Sequence, residues 1–249
     1  MSEDTLKPIF IKKNKNLTRP QIRTLNVIRG QARVDNDVAY QSIESKLGIG
    51  SADILLKYIS QCQLNINFSE TLFESFIEDT NYRSIYEINT KGDHYNSSRN
   101  AAEDRIFLDL YKNVTSFERP KYGSIDIHNK PGTDASQYGK CYFVLDDNVR
   151  IRTTITSCDS FSTTQIGVLD YPLHILDTLH TNELVYIYNT AIGNSTNNAG
   201  TKYGYKEVQY HGPISFSEDI SCVCIPKSVV NDKYFIKFIT KFNLNYCTY

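Results

Sequence analysis

A carboxylate, an amide and an imidazole fall at alternate positions of one short run, Tyr205-Lys206-Glu207-Val208-Gln209-Tyr210-His211. Side chains of a strand alternate between faces, so Tyr205, Glu207, Gln209 and His211 share one side while Lys206, Val208 and Tyr210 share the other. The run follows a segment rich in Gly, Asn and Thr, residues 193–204, which places Glu207 at the mouth of a long loop. A carboxylate held there is suited to meeting a ligand; the plainer reading is an edge strand with a solvated polar face. A second candidate is Arg119-Pro120-Lys121-Tyr122-Gly123-Ser124. Gly123 admits close approach to the backbone, Tyr122 offers a face for stacking, and Arg119 can pair with a phosphate. Its plainer reading is a strand start after a turn proline.

Other polar residues carry weaker signals. Arg99 and Glu103 stand four apart on an expected helix, the spacing of a surface ion pair. Arg152-Thr153-Thr154, followed by Ser157, Asp159 and Ser160, reads as a strand with a capped turn at its exit. His94, His128, His174, His180 and His211 are too scattered for metal spacing, and no Ser, His and Asp constellation stands out. Cys222 and Cys224 form a C-x-C pair on one strand face, with no second Cys or His pair at zinc-ligand spacing. The expectation is reduced, buried thiols and no metal.

These groups need a scaffold, and the chain supplies helices first and strands later. Thr18-Arg19-Pro20 opens a helix with Leu25, Val27 and Ile28 on its buried side; a second is expected over 36–47 and a third from Ser51. Leu64-Asn65-Ile66-Asn67-Phe68 alternates as a strand, and 70–79 and 97–112 read as helices. Strands are expected over 122–128, 140–146, 149–156, 184–190, 205–211, 220–225 and 234–239, with a helix near 165–180. That order indicates an α+β fold: a helical region over 1–60, then a domain over 61–249. No dinucleotide fingerprint, P-loop or internal repeat is present.

The composition excludes several classes. With 249 residues, 40% of them hydrophobic, and 18 Tyr and 12 Phe, the chain can build a sizeable core. Its 27 basic and 28 acidic residues nearly cancel, so no field advertises nucleic acid or an anionic membrane surface. No run approaches the roughly 18 apolar residues of a membrane span, and Met1-Ser2-Glu3-Asp4 does not begin a signal peptide. A cytoplasmic location, or delivery into a host cytosol without a cleavable signal, is the expectation. Lys7, Lys12, Lys13 and Lys15 mark residues 1–16 as a basic arm.

In order along the chain, several short words resemble those of uncharacterised bacterial and fungal, effector-like members of the ADP-ribosyltransferase superfamily. They are Tyr82-Arg83-Ser84 with Glu87; Arg99 with Glu103-Asp104-Arg105-Ile106-Phe107; and Glu118-Arg119-Pro120-Lys121-Tyr122-Gly123, with Tyr138-Gly139. Arg152-Thr153-Thr154 and Asp159-Ser160 follow, then Tyr205 to Pro213, and Glu218-Asp219-Ile220. The likeness runs from about residue 60 to 228, each word short and the order carrying the match. It implies two packed antiparallel sheets forming an NAD cleft, NAD as substrate, and transfer of ADP-ribose to a protein side chain, arginine favoured. It implies that Glu207 holds the nicotinamide ribose and stabilises the oxocarbenium-like transition state. Tyr122, with Gly123 and Ser124 beside it, would stack on nicotinamide, and Arg119 or Arg83 would bind the pyrophosphate. Two positions depart from the pattern. Ser69 stands where the family has a His-containing turn that anchors the adenosine ribose. Tyr205 stands where arginine-modifying relatives carry Glu or Gln; either Gln209 or Glu103 takes that role, or the acceptor is not arginine. An NAD glycohydrolase, or a silent member that binds a nucleotide or protein partner, are the alternatives.

Overall fold

The computed structural model describes residues 17–88, 92–132, 134–194 and 203–249. The basic arm and most of the loop before Glu207, residues 195–202, lie outside them. Helix α1 (Arg19–Leu47) starts after Thr18, whose backbone N–H donates to the Gln21 side chain at 2.9 Å, and carries Pro20 in its first turn. It is one helix where two were expected. Leu25, Ile28, Ala32, Asn36, Ala39 and Ile43 keep a spacing of three to four on its buried face, and no proline interrupts them. Val27, expected in that stripe, is exposed. α2 (Ser51–Gln61) follows, then β1 (Leu64–Phe68), α3 (Phe73–Glu78), β2 (Asn81–Tyr82), the short α4 (Ile85–Ile88) and α5 (Gly92–Ile106). Leu108 and Asp109 take left-handed backbone angles, ending that helical stretch before residue 112.

The second half alternates strands with helices. It runs β3 (Lys121–Ile125), β4 (Cys141–Leu145), β5 (Thr153–Ile155), β6 (Gly167–Val168), α6 (Leu173–Asp177), α7 (Thr181–Ala191), β7 (Lys206–Tyr210), β8 (Ile214–Ser215), β9 (Ile220–Ile225), α8 (Lys233–Phe242) and β10 (Tyr246–Thr248). Two segments expected as strands, 184–190 and 234–239, are the helices α7 and α8. Their aromatic and β-branched residues favour strands locally. Burial at helical spacing wins instead, through Leu184 and Ile187 in α7 and Phe235 and Phe238 in α8. Each helix also has a capping side chain: His180 accepts from Asn182 N, and Asp232 accepts from Tyr234 N and Phe235 N. The helix expected near 165–180 is replaced by β6 and the five-residue α6, and the first part of the strand expected over 149–156 is a 3₁₀ turn.

The protein is thus a mixed α and β fold with N-terminal helices and a mainly antiparallel sheet. Two packed sheets were expected; among the described residues the strands form one eight-stranded sheet, ordered β10-β9-β4-β1-β3-β7-β5-β6, with β2 and β8 as a separate ribbon. Among the described pairings in the large sheet, β9–β10 is parallel and the others antiparallel. Ile43, Leu55 and Ile59 of the N-terminal helices share one core cluster with Ile66, Val208 and Ile225 of the sheet. On the same side of the core, Phe68, Phe73, Phe76, Phe143, Phe216, Phe235 and Phe238 interlock, with Phe68 and Phe143 rings 4.3 Å apart.

The sheet opens at its middle. β1 pairs with β3 only at Leu64↔Ile125 and Asn65↔Ser124. Beyond that point Ile66, Asn67 and Phe68 pair with β4, while Gly123, Tyr122 and Lys121 pair with β7. Tyr210 is wedged at the fork: its hydroxyl donates to Asn65 O at 3.0 Å, satisfying a carbonyl close to where the ladder parts. Gly123 is needed there, because a Cβ would lie 2.1 Å from Asn65 O and 2.7 Å from the Tyr210 ring. Gly139, at φ +143°, similarly lets the chain pass against the backbone of Phe68.

The C-x-C expectation changes as well. Cys224 is disulfide-bonded to Cys247, because the parallel register of β10 sets those two residues side by side. Cys62, Cys141, Cys158 and Cys222 remain free.

Candidate active site

The fork between β1 and β3 leads into a cavity of about 690 Å³, within the range of small-molecule sites. Tyr122 and Gly123 of β3 and Glu207 of β7 form one side. Asn67, Phe68 and Ser69 at the end of β1 form another, and Asp79, Tyr82, Arg83 and Ser84 a third. Tyr138, Tyr205 and Arg99 line it as well.

Glu207 does not sit on a solvated edge. β7 lies between β3 and β5, and each residue from Lys206 to Tyr210 is buried. Glu207 is 3% exposed. Its Oε1 accepts from Ser160 N at 3.3 Å and Gln209 Nε2 at 3.0 Å, and its Oε2 lies 3.4 Å from the Tyr205 hydroxyl. Burial pushes the carboxyl above its ordinary range, against the opposing pull of the Ser160 bond and of the Arg99 charge. Gln209 is itself held by the Thr154 hydroxyl at 2.9 Å, so the amide orients the acid from behind. Ser124 stands opposite Glu207 in the ladder, buried. His211 lies past the cavity, between Tyr111 and Thr154, and burial beside Arg152 and Lys121 lowers its pKa to about 3.

Arg99 is the residue sequence reading undervalued. It is 6% exposed and borders the cavity. Its guanidinium carbon lies 4.3 Å from the centroid of the Tyr122 ring and 4.0 Å from that of Phe161, and Nη1 donates to Ser160 Oγ at 2.8 Å. Ser160 therefore touches both Arg99 and Glu207, tying a cation and an anion to one residue. Glu103, expected as its surface partner, is fully buried instead. It accepts from Arg119 and, at 2.6 Å, from the Tyr122 hydroxyl, and burial raises its pKa. The Arg119 guanidinium also lies over the Tyr86 ring. Of the residues singled out by sequence, Glu207, Tyr122, Gly123, Ser69 and Arg83 border the cavity. Glu103, Arg119, Gln209 and Ser124 stand behind its wall, with Glu103 and Arg119 bracing Tyr122. Arg83 pairs with Asp79 at the exposed side, and Ser69 caps the turn after β1 by accepting from Thr71 N.

A second acid stands behind two of the tyrosines that line the cavity. The Tyr205 hydroxyl is 2.8 Å from Asp159 Oδ2, 3.4 Å from Glu207 Oε2 and 2.7 Å from the Tyr138 hydroxyl, so this one phenol stands between the two acids. Burial, the Tyr138 bond and both carboxylates keep Tyr205 protonated, as a neutral donor. Asp159 came from a run read as turn capping; nothing in its spacing from Glu207 signals the meeting. Tyr203, at the end of the loop before β7, stacks on His128 at 5.6 Å and donates to Asn182 O. That anchors the exit of the loop against α7.

The arrangement can do specific chemistry. A buried, hydrogen-bonded carboxylate stabilises positive charge that develops beside it. A buried arginine and aromatic rings suit a ligand with anionic and planar parts.

Fold and site together define a mixed α and β protein whose mainly antiparallel sheet forks around a carboxylate- and arginine-lined cavity. By sequence the chain belongs to the family described as protein of unknown function DUF3626, which matches residues 64–203. That span includes the fork, Arg99, Glu103, Arg119 and Tyr122, and stops just short of β7 and Glu207. No curated protein matches the chain.

Proposed function

We propose that the chain is a mono-ADP-ribosyltransferase, transferring ADP-ribose from NAD to a protein side chain. The observation that carries this reading is Glu207, a carboxylate on an interior strand, buried yet bordering the cavity where the sheet forks. In the reaction the bond from ribose C1′ to the nicotinamide nitrogen breaks, nicotinamide leaves with the electron pair, and positive charge builds on the ribose. Glu207 faces that charge, held by Ser160 and Gln209. Tyr122 offers the ring against which nicotinamide lies, and Arg99 the cation for the pyrophosphate. The acceptor then attacks C1′ and loses a proton. Asp159 lies behind Tyr205 and Tyr138, which line the cavity, and would meet a cationic side chain that entered between them. That second acid favours transfer to arginine over hydrolysis, and supplies a carboxylate where the resembled pattern would have one at Tyr205.

Incubation with labelled NAD and a small guanidine acceptor tests the reading by reporting nicotinamide release and label transfer together. The parent chain is expected to do both, and Glu207→Gln, checked by circular dichroism to be folded, to lower both by about 10²–10³-fold. Activity of the parent should rise with pH through the elevated Glu207 pKa, above the ordinary 4.5, because the ionised form does the work. An inert parent, or an unaffected Glu207→Gln, refutes the assignment; nicotinamide release without labelling of any acceptor gives the glycohydrolase.

A further inference from the structure

We propose that Cys222, Cys224 and Cys247, when reduced, bind a thiophilic d¹⁰ cation such as Zn²⁺, and that the ion clips β10 to the sheet. This rests on a cluster apart from the cavity and is independent of the reaction proposed above. Cys222 and Cys224 alternate on one face of β9, and the parallel register puts Cys247 directly beside Cys224. The three sulfur atoms lie within 4.8 Å of one another. Thiolates around a tetrahedral zinc at about 2.3 Å stand about 3.8 Å apart, so side-chain rotations moving the sulfurs by about 1 Å close the site.

The disulfide between Cys224 and Cys247 needs two sulfurs; the third, on Cys222, is what a metal site adds. Under reducing conditions a cysteine cluster of this kind reads as a metal site more readily than as a disulfide. β10 also needs a fastening. It is a parallel edge strand of three residues, all exposed. Cys247 is exposed as well, which gives an ion its way in. A dithiol reductant converts the disulfide to two thiols and is itself oxidised to a cyclic disulfide. The cation then displaces three thiol protons and takes water or an outside ligand as its fourth donor.

The test is Co²⁺ titration of the full chain after dithiol reduction and anaerobic desalting, with Zn²⁺ as competitor. One equivalent should give thiolate charge-transfer bands and tetrahedral cobalt absorption, both erased by Zn²⁺. Cys222→Ser leaves the disulfide pair intact, so its fold is checked in the oxidised form. Its metal affinity should fall by more than the roughly 10–100-fold that loss of an outer partner costs. Cys62→Ser should bind as the parent does. Zn²⁺ should also restore amide protection at 246–248 that reduction removes. No stoichiometric binding, a Cys222→Ser variant that binds as tightly, loss of binding in Cys62→Ser, or protection indifferent to zinc each overturns the proposal.

Discussion

Arg99 and Glu207 reach the same residue, Ser160, from different parts of the chain, and that shared contact sets the electrostatics of the cavity. Glu207 is buried enough to be pushed toward its neutral form, and the Arg99 charge works against that. The balance has a measurable consequence. Arg99→Met keeps much of the packing between Tyr122 and Phe161 and removes the charge. The Glu207 pKa should then climb further, moving the acid limb of NAD turnover to higher pH. Affinity for NAD should weaken by about tenfold or more, the loss expected for a charge-assisted contact. Calorimetry and a pH–rate profile report the two effects separately. An unmoved limb would show that Arg99 is only part of the wall.

The decisive element is the fork between β1 and β3. Two facing strands ordinarily continue their ladder, and these part after two register pairs. Tyr210 from β7 fills the angle and donates to Asn65 O, while its bulk is accommodated by Gly123. Removing only the hydroxyl should leave a buried carbonyl short of a partner. Tyr210→Phe is therefore expected to cost about 1–3 kcal/mol, read as a lowered denaturation midpoint at unchanged slope. Hydrogen exchange should quicken first along β1 and β3. A midpoint equal to the parent's would mean that the fork is held by packing alone.

Over the whole molecule, one charged cluster joins parts that are distant in sequence. His128 lies between Asp134 Oδ2 at 2.5 Å and Glu183 Oε1 at 3.0 Å, and Lys206 of β7 joins Glu183 at 2.6 Å. Burial pulls the imidazole pKa down, but the two carboxylates outweigh it and hold it above the ordinary 6.5. A folded-state pKa raised in this way means stabilisation present in full below pH 6.5 and lost as pH rises through the folded value. His128→Gln should be less stable than the parent by about 1–3 kcal/mol in that acid range. The difference should shrink as pH increases. Thermal melts of both proteins across the range check the sign, and a gap that widens with pH would contradict it. No helix among the described residues is long and apolar enough to cross a membrane, in keeping with the dispersed charge.

Alternation along a strand is local geometry, and it alone was enough to put Glu207 and Gln209 on one face and to find β1, β3, β4 and β9 within a few residues. Turn chemistry was legible in the same way, at Thr18-Arg19-Pro20 and at the glycines. Residues whose state depends on distant neighbours were not. The aromatic runs of α7 and α8 carry strand propensity, and only burial against the assembled core makes them helices. Arg99 meets Ser160 across 61 positions, and Ser160 meets Glu207 across 47. Asp159 reaches Tyr205 across 46, and Cys224 finds Cys247 through a parallel pairing. Contacts of that range are set by sheet order and register, which no local spacing encodes. The sequence by itself determined the face on which each residue of β1, β3, β4, β7 and β9 falls, Glu207 with Gln209 among them. The tertiary structure decided which of them meet: it made β7 an interior strand, forked the sheet beside it, and turned a solvated carboxylate into a buried one facing a cavity.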